Sequence, residues 1–276
     1  MSKEICQLCP QHCHLDENEI GFCRARSNKE GVITAINYGL ITSMALDPIE
    51  KKPLYRFFPG SKILSVGSFG CNLRCSFCQN YEISMAGIKE IQTNKISPEA
   101  LVEQALLLKP QGNIGIAYTY NEPLVGYEYV RDCAGLAKGK GLKNVLVTNG
   151  YFCEEPLKEI LPLIDALNID LKGFTEEFYH KVSGDLETVK ASIKLAAKNN
   201  HIEVTTLIIP GENDTDHEIR KMSQWLASIR PDIPLHLSRF FPCYKMTDRN
   251  PTDVASVYAL AEIARESLEF VYVGNC

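Results

Sequence analysis

Three closely spaced cysteines constrain this chain more than any other feature of its sequence. Cys71, Cys75 and Cys78 lie in the segment GCNLRCSFCQN, where their neighbours are mostly polar. Three thiolates in so short a loop can converge on one face of a metal cluster, whereas a mononuclear zinc site usually takes four protein ligands. A four-iron cluster held by three thiolates leaves one iron open for a small molecule. The spacing therefore predicts an iron–sulfur cluster with one open iron.

The number and placement of the cysteines also indicate a reducing compartment. The chain has 11 cysteines among 276 residues, and its N-terminus, MSKEICQLCPQHC, lacks the apolar stretch of a signal peptide. Disulfide scaffolds are typical of small secreted chains, so we expect metal binding in the cytoplasm instead. A net charge of −5 argues against a nucleic-acid partner. No apolar run reaches the roughly 18–20 residues that span a bilayer, so no membrane partner is expected.

From residue 61 onwards, short apolar runs alternate with amphipathic segments. ILSVGSFG and NVLVTNG are typical of buried parallel strands, and SPEALVEQALLLK, with Ser97 as its N-cap, predicts a helix. About six strands in alternation with helices imply an α/β fold with a parallel sheet. Because the chain has no GxGxxG segment, we favour an open, partial (β/α)6-type barrel. Residues 61–276 are predicted to form this barrel, after a Cys-rich metal-binding extension of residues 1–60.

Polar residues accumulate where the predicted strands end, which is where α/β folds place their active sites. The candidate residues at these ends are Glu122, Thr148, Asn149, Asp170, Lys172 and His236. Asp170 and Lys172 share one strand face because they are two residues apart. Simpler interpretations also exist: Glu122 as an exposed carboxylate, Asp170 and Lys172 as a plain salt bridge, and His236 as a structural histidine.

A second group of cysteines lies near the N-terminus, at Cys6, Cys9, Cys13 and Cys23. Four thiolates are enough to close a tetrahedral structural site. Because this loop-rich segment has little core of its own, a metal could supply its folding free energy. Zinc is slightly favoured, since closed four-thiolate sites commonly hold zinc. A second iron–sulfur cluster is the alternative, and it would suggest an electron relay to the barrel.

The CxxxCxxC spacing, with Phe77 immediately before the last cysteine, resembles the signature of the radical S-adenosylmethionine (SAM) superfamily. The resemblance implies one [4Fe–4S] cluster on Cys71, Cys75 and Cys78, with SAM bound at the open iron. It also implies reductive cleavage of SAM to a 5′-deoxyadenosyl radical that abstracts hydrogen from a substrate. The reductant is expected to be a protein such as flavodoxin or ferredoxin.

Two further segments carry the same resemblance. TYNEP is similar to the GGE motif of these enzymes, with Glu122 as the carboxylate and with Tyr120 and Asn121 in place of the glycines. The order TNG, then DLK, resembles pyruvate formate-lyase activating enzyme and its relatives, in which the matching residues face SAM.

A longer resemblance covers nearly the whole chain. CxLCPxxCxL, GxCxxR and TSMALDPIEKKPLYRFFPGSKILSVGSFGCNLRCSFCQNYEIS closely resemble the AmmeMemoRadiSam-system radical SAM enzymes. These enzymes are named for an association with Memo-like and AMMECR-type proteins, which are therefore expected partners. The expected substrate is a Memo-linked small molecule or peptide, and a glycyl-radical enzyme is the alternative. A non-catalytic iron–sulfur or zinc electron-transfer or scaffold protein is the alternative of another class.

Overall fold

A mostly parallel sheet of eight strands forms the centre of the molecule. The computed structural model describes residues 3–276. The strands in that range are β1 (Glu4–Ile5), β2 (His14–Leu15), β3 (Arg26–Lys29), β4 (Val32–Ala35), β5 (Leu40–Ile41), β6 (Ser43–Pro48), β7 (Lys62–Gly67), β8 (Asn94–Lys95), β9 (Asn113–Tyr118), β10 (Lys143–Thr148), β11 (Ala166–Asp170), β12 (His201–Ile208), β13 (Leu235–Arg239) and β14 (Val271–Gly274). The central sheet has the order β14-β13-β12-β11-β10-β9-β7-β6, in which β6 pairs antiparallel with β7 and the other pairs are parallel. The predicted α/β fold is confirmed.

Two strands of this sheet lie beyond the six that the sequence pattern predicts. β14 extends the sheet past β13, and β6 forms its other edge. β6 belongs to the predicted extension of residues 1–60, yet it pairs with β7 along its whole length, from Ser43 opposite Gly67 to Pro48 opposite Lys62. The segment before residue 61 therefore contributes one strand to the central sheet.

Eight α-helices occupy the connections between the described strands. They are α1 (Tyr81–Ser84), α2 (Pro98–Leu107), α3 (Tyr127–Gly139), α4 (Glu154–Ile160), α5 (Glu176–Lys181), α6 (Leu186–Ala196), α7 (Asp216–Ile229) and α8 (Val254–Arg265). The predicted N-cap of α2 is confirmed, because Ser97 Oγ accepts a hydrogen bond from the amide of Ala100. Within residues 3–276, none of the helices combines the length and apolar character that crossing a membrane requires.

Alternation along the strands separates the core from the inner face of the sheet. On β12, Ile202 and Val204 are buried in the main hydrophobic core with Ile219 and Met222 of α7. Thr205, between them and the strand end, instead lines a cavity. Because successive side chains of a strand point to opposite faces, one face of β12 packs on helices and the other is mostly polar.

The N-terminal segment docks on the first half of the sheet. The guanidinium of Arg26, on β3, donates two hydrogen bonds of 2.7 and 2.8 Å to the carboxylate of Glu128 on α3. Asn37 Nδ2 donates to the carbonyl oxygen of Phe69, just before the cysteine loop, at 3.0 Å. These contacts hold the Cys-rich segment against the loop that follows β7.

Candidate functional site

A cavity of about 260 Å³ lies at the carboxyl ends of the parallel strands. The predicted site residues that line it are Cys71, Cys75, Cys78, Glu122, Thr148, Asn149, Asp170 and Lys172. They come from the ends of four strands and the segments that follow them, which the parallel topology gathers at one edge of the sheet. The cavity is therefore the candidate active site.

The three thiols of the cysteine loop share this cavity and suit an iron–sulfur cluster. Cys71 Sγ lies 3.4 Å from the amide nitrogen of Leu73 and 3.7 Å from Asn149 Nδ2, both of which donate to sulfur. Burial raises the pKa of the Cys71 thiol, and burial raises the pKa of Cys75 to about 11. Without a metal the thiols therefore stay protonated at neutral pH, and a bound metal displaces their protons. This set of three sulfur donors in one partly enclosed cavity fits a cluster that leaves one iron open.

Backbone contacts hold the cysteine loop in place. Gly70 has φ +91°, and a Cβ added there would lie 2.5 Å from the carbonyl oxygen of Cys23. The adjacent amide of Cys71 donates to that same oxygen at 3.1 Å. On the other side, Asn72 Nδ2 donates to the carbonyl oxygen of Tyr151 at 2.6 Å. Glycine at position 70 therefore allows the N-terminal segment to approach the loop closely.

Glu122 is buried and organises the neighbouring strand end. Its carboxylate accepts hydrogen bonds from the amides of Asn149 (2.8 Å) and Leu124 (3.1 Å) and from Thr148 Oγ1 (2.9 Å). Burial raises the pKa of Glu122 to about 7, although these donors favour the ionised form. The exposed-carboxylate interpretation is thus wrong: Glu122 is 3% exposed and joins the TYNEP and TNG segments inside the cavity.

Tyr120 adopts a backbone conformation that favours glycine. Its φ is +72°, in the left-handed region, at a position where the similar motif has a glycine. The Tyr120 hydroxyl donates to Asp47 Oδ2 at 2.8 Å, and Lys52 Nζ lies 4.6 Å from the centre of its ring. Lys52 also bonds Asp47 at 3.0 Å. This buried group from β6 and the turn after it anchors the side chain and offsets the backbone strain.

Asp170 and Lys172 form an ion pair within the cavity. Lys172 Nζ lies 3.0 Å from Asp170 Oδ2, as the two-residue spacing predicts. Burial is the largest single effect and lowers the pKa of Lys172, but the charge of Asp170, its hydrogen bond and the nearby Cys75 together keep the pKa above its usual value. The lysine therefore stays charged, and its positive charge lowers the pKa of Cys75 against the larger effect of burial. The pair is both a salt bridge and part of the cavity wall.

His236 does not lie with the other predicted site residues. It is buried at 5% exposure, and its Nε2 lies 2.6 Å from a carboxylate oxygen of Glu203 on β12. Glu203 also accepts hydrogen bonds from the amides of Tyr55 and Arg56, at 3.0 and 2.7 Å. His236 precedes Ser238, which does line the cavity, by two positions on the same strand face. His236 therefore lies outside the cavity, because it is nearer the start of β13 than the cavity is.

Several cavity residues were not among the predicted site residues. They are Phe77, Gln79, Asn80, Ser84, Met85, Thr119, Tyr120, Asn121, Val147, Thr205, Leu207, Ser238 and Asn275. Alternation along β12 could have indicated Thr205, since Thr205 and Leu207 are two positions apart. Asn275 follows β14, and no local pattern marks it. Its Nδ2 donates to Ser238 Oγ at 2.9 Å, which places the last strand beside the cavity.

The four N-terminal cysteines also come together. Cys6, Cys9, Cys13 and Cys23 line one small, largely closed void, and three of them are buried. Burial raises the pKa of Cys9 to about 12, and the nearby thiols of Cys23 and Cys6 contribute to this rise. Within residues 3–276, no three His, Cys, Asp or Glu side chains are arranged as the ligands of one metal ion. A multi-iron cluster does not need that arrangement, because its thiolates bind different iron atoms.

Comparison with known families agrees with the geometry of the cavity. The model of the Radical SAM superfamily matches residues 65–226, a range that includes the end of β7, the three cysteines of the loop and most of α7. This chain belongs to the Radical SAM superfamily. It is therefore an enzyme of the class that uses a [4Fe–4S] cluster and SAM.

Two relatives extend this comparison. The chain is 43% identical over 278 residues to the uncharacterized protein MJ0808 of Methanocaldococcus jannaschii. The aligned region covers 99% of this chain and 82% of that protein. It is 29% identical over 167 residues to the pyruvate formate-lyase-activating enzyme of Clostridium pasteurianum. Here the aligned region covers 58% of this chain and 68% of that enzyme. The chain is thus similar to radical SAM activating enzymes over more than half its length.

A solved structure supports the fold. The crystal structure of Streptococcus suis SuiB bound to S-adenosylmethionine superposes with a TM-score of 0.58 at 12% identity. The match covers 78% of this chain and 52% of SuiB, so this chain corresponds to about half of that protein. At this identity the likeness concerns the arrangement of strands and helices.

Proposed function

We propose that this chain holds a [4Fe–4S] cluster on Cys71, Cys75 and Cys78 and binds SAM in the adjoining cavity. One observation carries the proposal: the three thiols line the same cavity as Glu122 and the Asp170–Lys172 pair. Sulfur donors for iron and carboxylates for an ammonium group thus lie within one enclosed space. A cavity built only for structural metal would not need these carboxylates.

The residues of the chain position and shield the chemistry that the cofactors supply. The bound, reduced cluster would supply one electron for cleavage of the S–C5′ bond of SAM into methionine and a 5′-deoxyadenosyl radical, which would take hydrogen from the substrate. Glu122 and Asp170 would accept hydrogen bonds from the ammonium group of SAM. Thr148 and the Asn149 amide hold the Glu122 carboxylate in place, and Lys172 offsets the negative charge of the thiolates. His236, which lies away from the cavity, is not part of this proposal.

Formation of 5′-deoxyadenosine tests this function. The protein is reconstituted anaerobically with iron and sulfide, reduced with dithionite and given SAM. We expect 5′-deoxyadenosine from the wild type and none from Cys75→Ala. Cys133→Ala is the matched control, because Cys133 is a buried cysteine on α3 that does not line the cavity. Absence of product from a wild type with a full cluster, or equal product from Cys75→Ala, would refute the proposal.

For the substrate, we propose a small molecule or peptide of the Memo-linked system. The resemblance of the N-terminal and cysteine-loop segments to the AmmeMemoRadiSam-system enzymes supports this choice. The cavity of about 260 Å³ is slightly smaller than the roughly 300–1,000 Å³ that is usual for ligand sites, so bound SAM would leave little room beside it. The substrate must therefore reach the reactive carbon from the cavity mouth, as a small molecule or an extended peptide can.

Activation of a glycyl-radical enzyme is the second candidate, and the similarity to the Clostridium pasteurianum enzyme favours it. The two candidates differ in the product. Incubation with SAM, reductant and a glycyl-radical enzyme should give a protein-based radical only under the second. Incubation with Memo-like and AMMECR-type proteins should give an altered peptide or metabolite only under the first. A reduced flavodoxin or ferredoxin is the proposed electron source in both cases.

A further inference from the structure

The void between the four N-terminal cysteines has the composition of a metal-cluster site. Besides Cys6, Cys9, Cys13 and Cys23, its walls are mostly apolar, with Leu8, Leu15 and Val125, and Gln11 and Arg26 also line it. Phe22 donates its amide proton to Cys13 Sγ at 3.3 Å. A mostly apolar pocket with four thiols and an amide donor to sulfur is typical of sites in which thiolates bind metal.

The arrangement of the four thiols favours a cluster over a single zinc ion. Four zinc–sulfur bonds of about 2.3 Å require the sulfurs to surround one point. Within residues 3–276, no three His, Cys, Asp or Glu side chains are arranged in that way. A cluster does not require it, because its thiolates bind different iron atoms.

A buried cation beside the void is left with one unpaired donor. Arg26 lines the void with 6% of its surface exposed, and its two terminal nitrogens bond Glu128. Its Nε has no hydrogen-bond partner among the described residues. A buried donor without a partner is costly. Four thiolates on a metal core carry net negative charge, and one of their sulfurs could accept this hydrogen bond. Arg26 Nε therefore supplies a hydrogen-bond donor at the site, whereas the charge of Arg26 is balanced by Glu128.

The void also adjoins the loop that carries the active-site cysteines. Cys23 accepts a hydrogen bond from the amide of Cys71, and Gln11 Nε2 donates to the carbonyl oxygen of Asn72 at 3.3 Å. We propose that Cys6, Cys9, Cys13 and Cys23 bind a second iron–sulfur cluster, held in backbone contact with the loop of the first. The sequence alone slightly favours zinc here, and the arrangement of the thiols reverses that preference.

Metal analysis of a variant without the active-site thiols tests the proposal. The triple variant Cys71→Ala/Cys75→Ala/Cys78→Ala is purified anaerobically, and its iron, sulfide and zinc are measured. We expect about two or four iron atoms per chain with equal sulfide, the contents of the common four-cysteine clusters. One zinc per chain without sulfide, or no bound metal, would overturn the proposal. This measurement does not depend on SAM cleavage, so it separates the proposed cluster from the proposed function.

A matched pair of variants locates the remaining iron. Adding Cys6→Ala and Cys9→Ala to the triple variant should remove its iron and sulfide. Adding Cys133→Ala and Cys276→Ala, which change two cysteines outside both groups, should leave them unchanged. Iron that survives the first pair, or is lost with the second, would contradict the ligand set. Far-ultraviolet circular dichroism of each variant checks that the fold is retained.

Spin coupling tests the contact between the two groups, and this step rests on the proposed function because it needs both clusters. Electron paramagnetic resonance spectra are recorded for the dithionite-reduced wild type, the triple variant and the Cys6→Ala/Cys9→Ala variant. We expect the wild-type spectrum to be broadened relative to the sum of the other two, because the clusters are close. A wild-type spectrum equal to that sum would refute the proposed proximity of the two clusters. The metal analysis would still decide whether the N-terminal cysteines bind a cluster.

Discussion

The amide of Cys71 donates a 3.1 Å hydrogen bond to the carbonyl oxygen of Cys23. This contact joins the two cysteine groups of the chain through their backbones. The contact requires a glycine at residue 70, which has φ +91°. A Cβ at this position would lie 2.5 Å from the carbonyl oxygen of Cys23. The active-site loop and the N-terminal segment are therefore one packing unit.

The first prediction concerns this contact. Gly70→Ala should destabilise the fold by about 1–3 kcal/mol more than Gly112→Ala, because it adds overpacking to backbone strain. Gly112 is a matched control, since it has the same φ of +91° with no atom within 4 Å of an added Cβ. Urea unfolding of both variants measures the difference. Equal losses of unfolding free energy would show that the approach to Cys23 carries no cost.

The second prediction concerns the anchor of Tyr120. Tyr120→Phe removes a 2.8 Å hydrogen bond to Asp47, whose pKa is about 2 because Lys52 and Tyr120 outweigh the effect of burial. We expect a loss of about 1.5–3 kcal/mol in unfolding free energy, as for hydrogen bonds to buried charges. Tyr38→Phe removes a bond of the same length to Asp132 at the surface and should cost less than about 1 kcal/mol. The reverse order in thermal or urea unfolding would contradict the anchoring role.

The third prediction concerns the Asp170–Lys172 pair. Asp170→Asn should weaken SAM binding at least tenfold, about 1.4 kcal/mol, because it removes a carboxylate from the cavity and leaves Lys172 unpaired. The cluster content should stay unchanged. Asp165→Asn is the control, since Asp165 pairs with Lys143 at 2.8 Å just before β11, at the opposite end of the same strand. Anaerobic equilibrium dialysis with labelled SAM measures the affinity, and iron analysis checks the cluster; an unchanged affinity would remove Asp170 from the site.

The fourth prediction concerns the pH dependence of stability. Burial alone would raise the pKa of Glu203, but His201, His236 and two backbone amides lower it to about 2. Since this folded-state pKa lies below the ordinary value of 4.5, the carboxylate stabilises the fold above about pH 4.5. That contribution is lost as the pH falls from about 4.5 to 2, and it amounts to roughly 3 kcal/mol.

Glu203→Gln should therefore lower the unfolding free energy at pH 7 and flatten its fall between pH 5 and 3. Denaturant titrations of the metal-free protein at several pH values give this profile. Glu266→Gln, which removes an exposed carboxylate paired with Arg220, should follow the wild-type profile within about 0.5 kcal/mol. A Glu203→Gln profile as steep as the wild type would mean that another group carries the acid sensitivity.

Much of the site could be predicted from the sequence because its signals are local. The cysteine spacing indicates a cluster, and the alternation of strands and helices indicates a parallel sheet with its polar residues at one edge. Glu122 and Lys172 follow from that reasoning and do line the cavity. Asn275 could not be predicted, because it reaches the cavity only after β14 pairs with β13.

His236 shows where the pattern is insufficient. Periodicity of two places His236 and Ser238 on the same face of β13, and the structure agrees. Their positions along the strand differ, however. Ser238 lines the cavity, whereas His236, two residues earlier, hydrogen-bonds to Glu203 outside it. A sequence pattern gives the face of a residue, whereas its depth depends on the register of neighbouring strands.

The sequence by itself determined the chemistry and the class of this protein. Ligand spacing and strand–helix order are local properties, so three cysteines and an α/β pattern are sufficient to indicate a radical SAM barrel. The tertiary structure alone decided which polar residues share the cavity and that Cys23 meets Cys71. Both depend on strand register and on close backbone approach between residues far apart in the chain, and short-range periodicity does not encode such contacts.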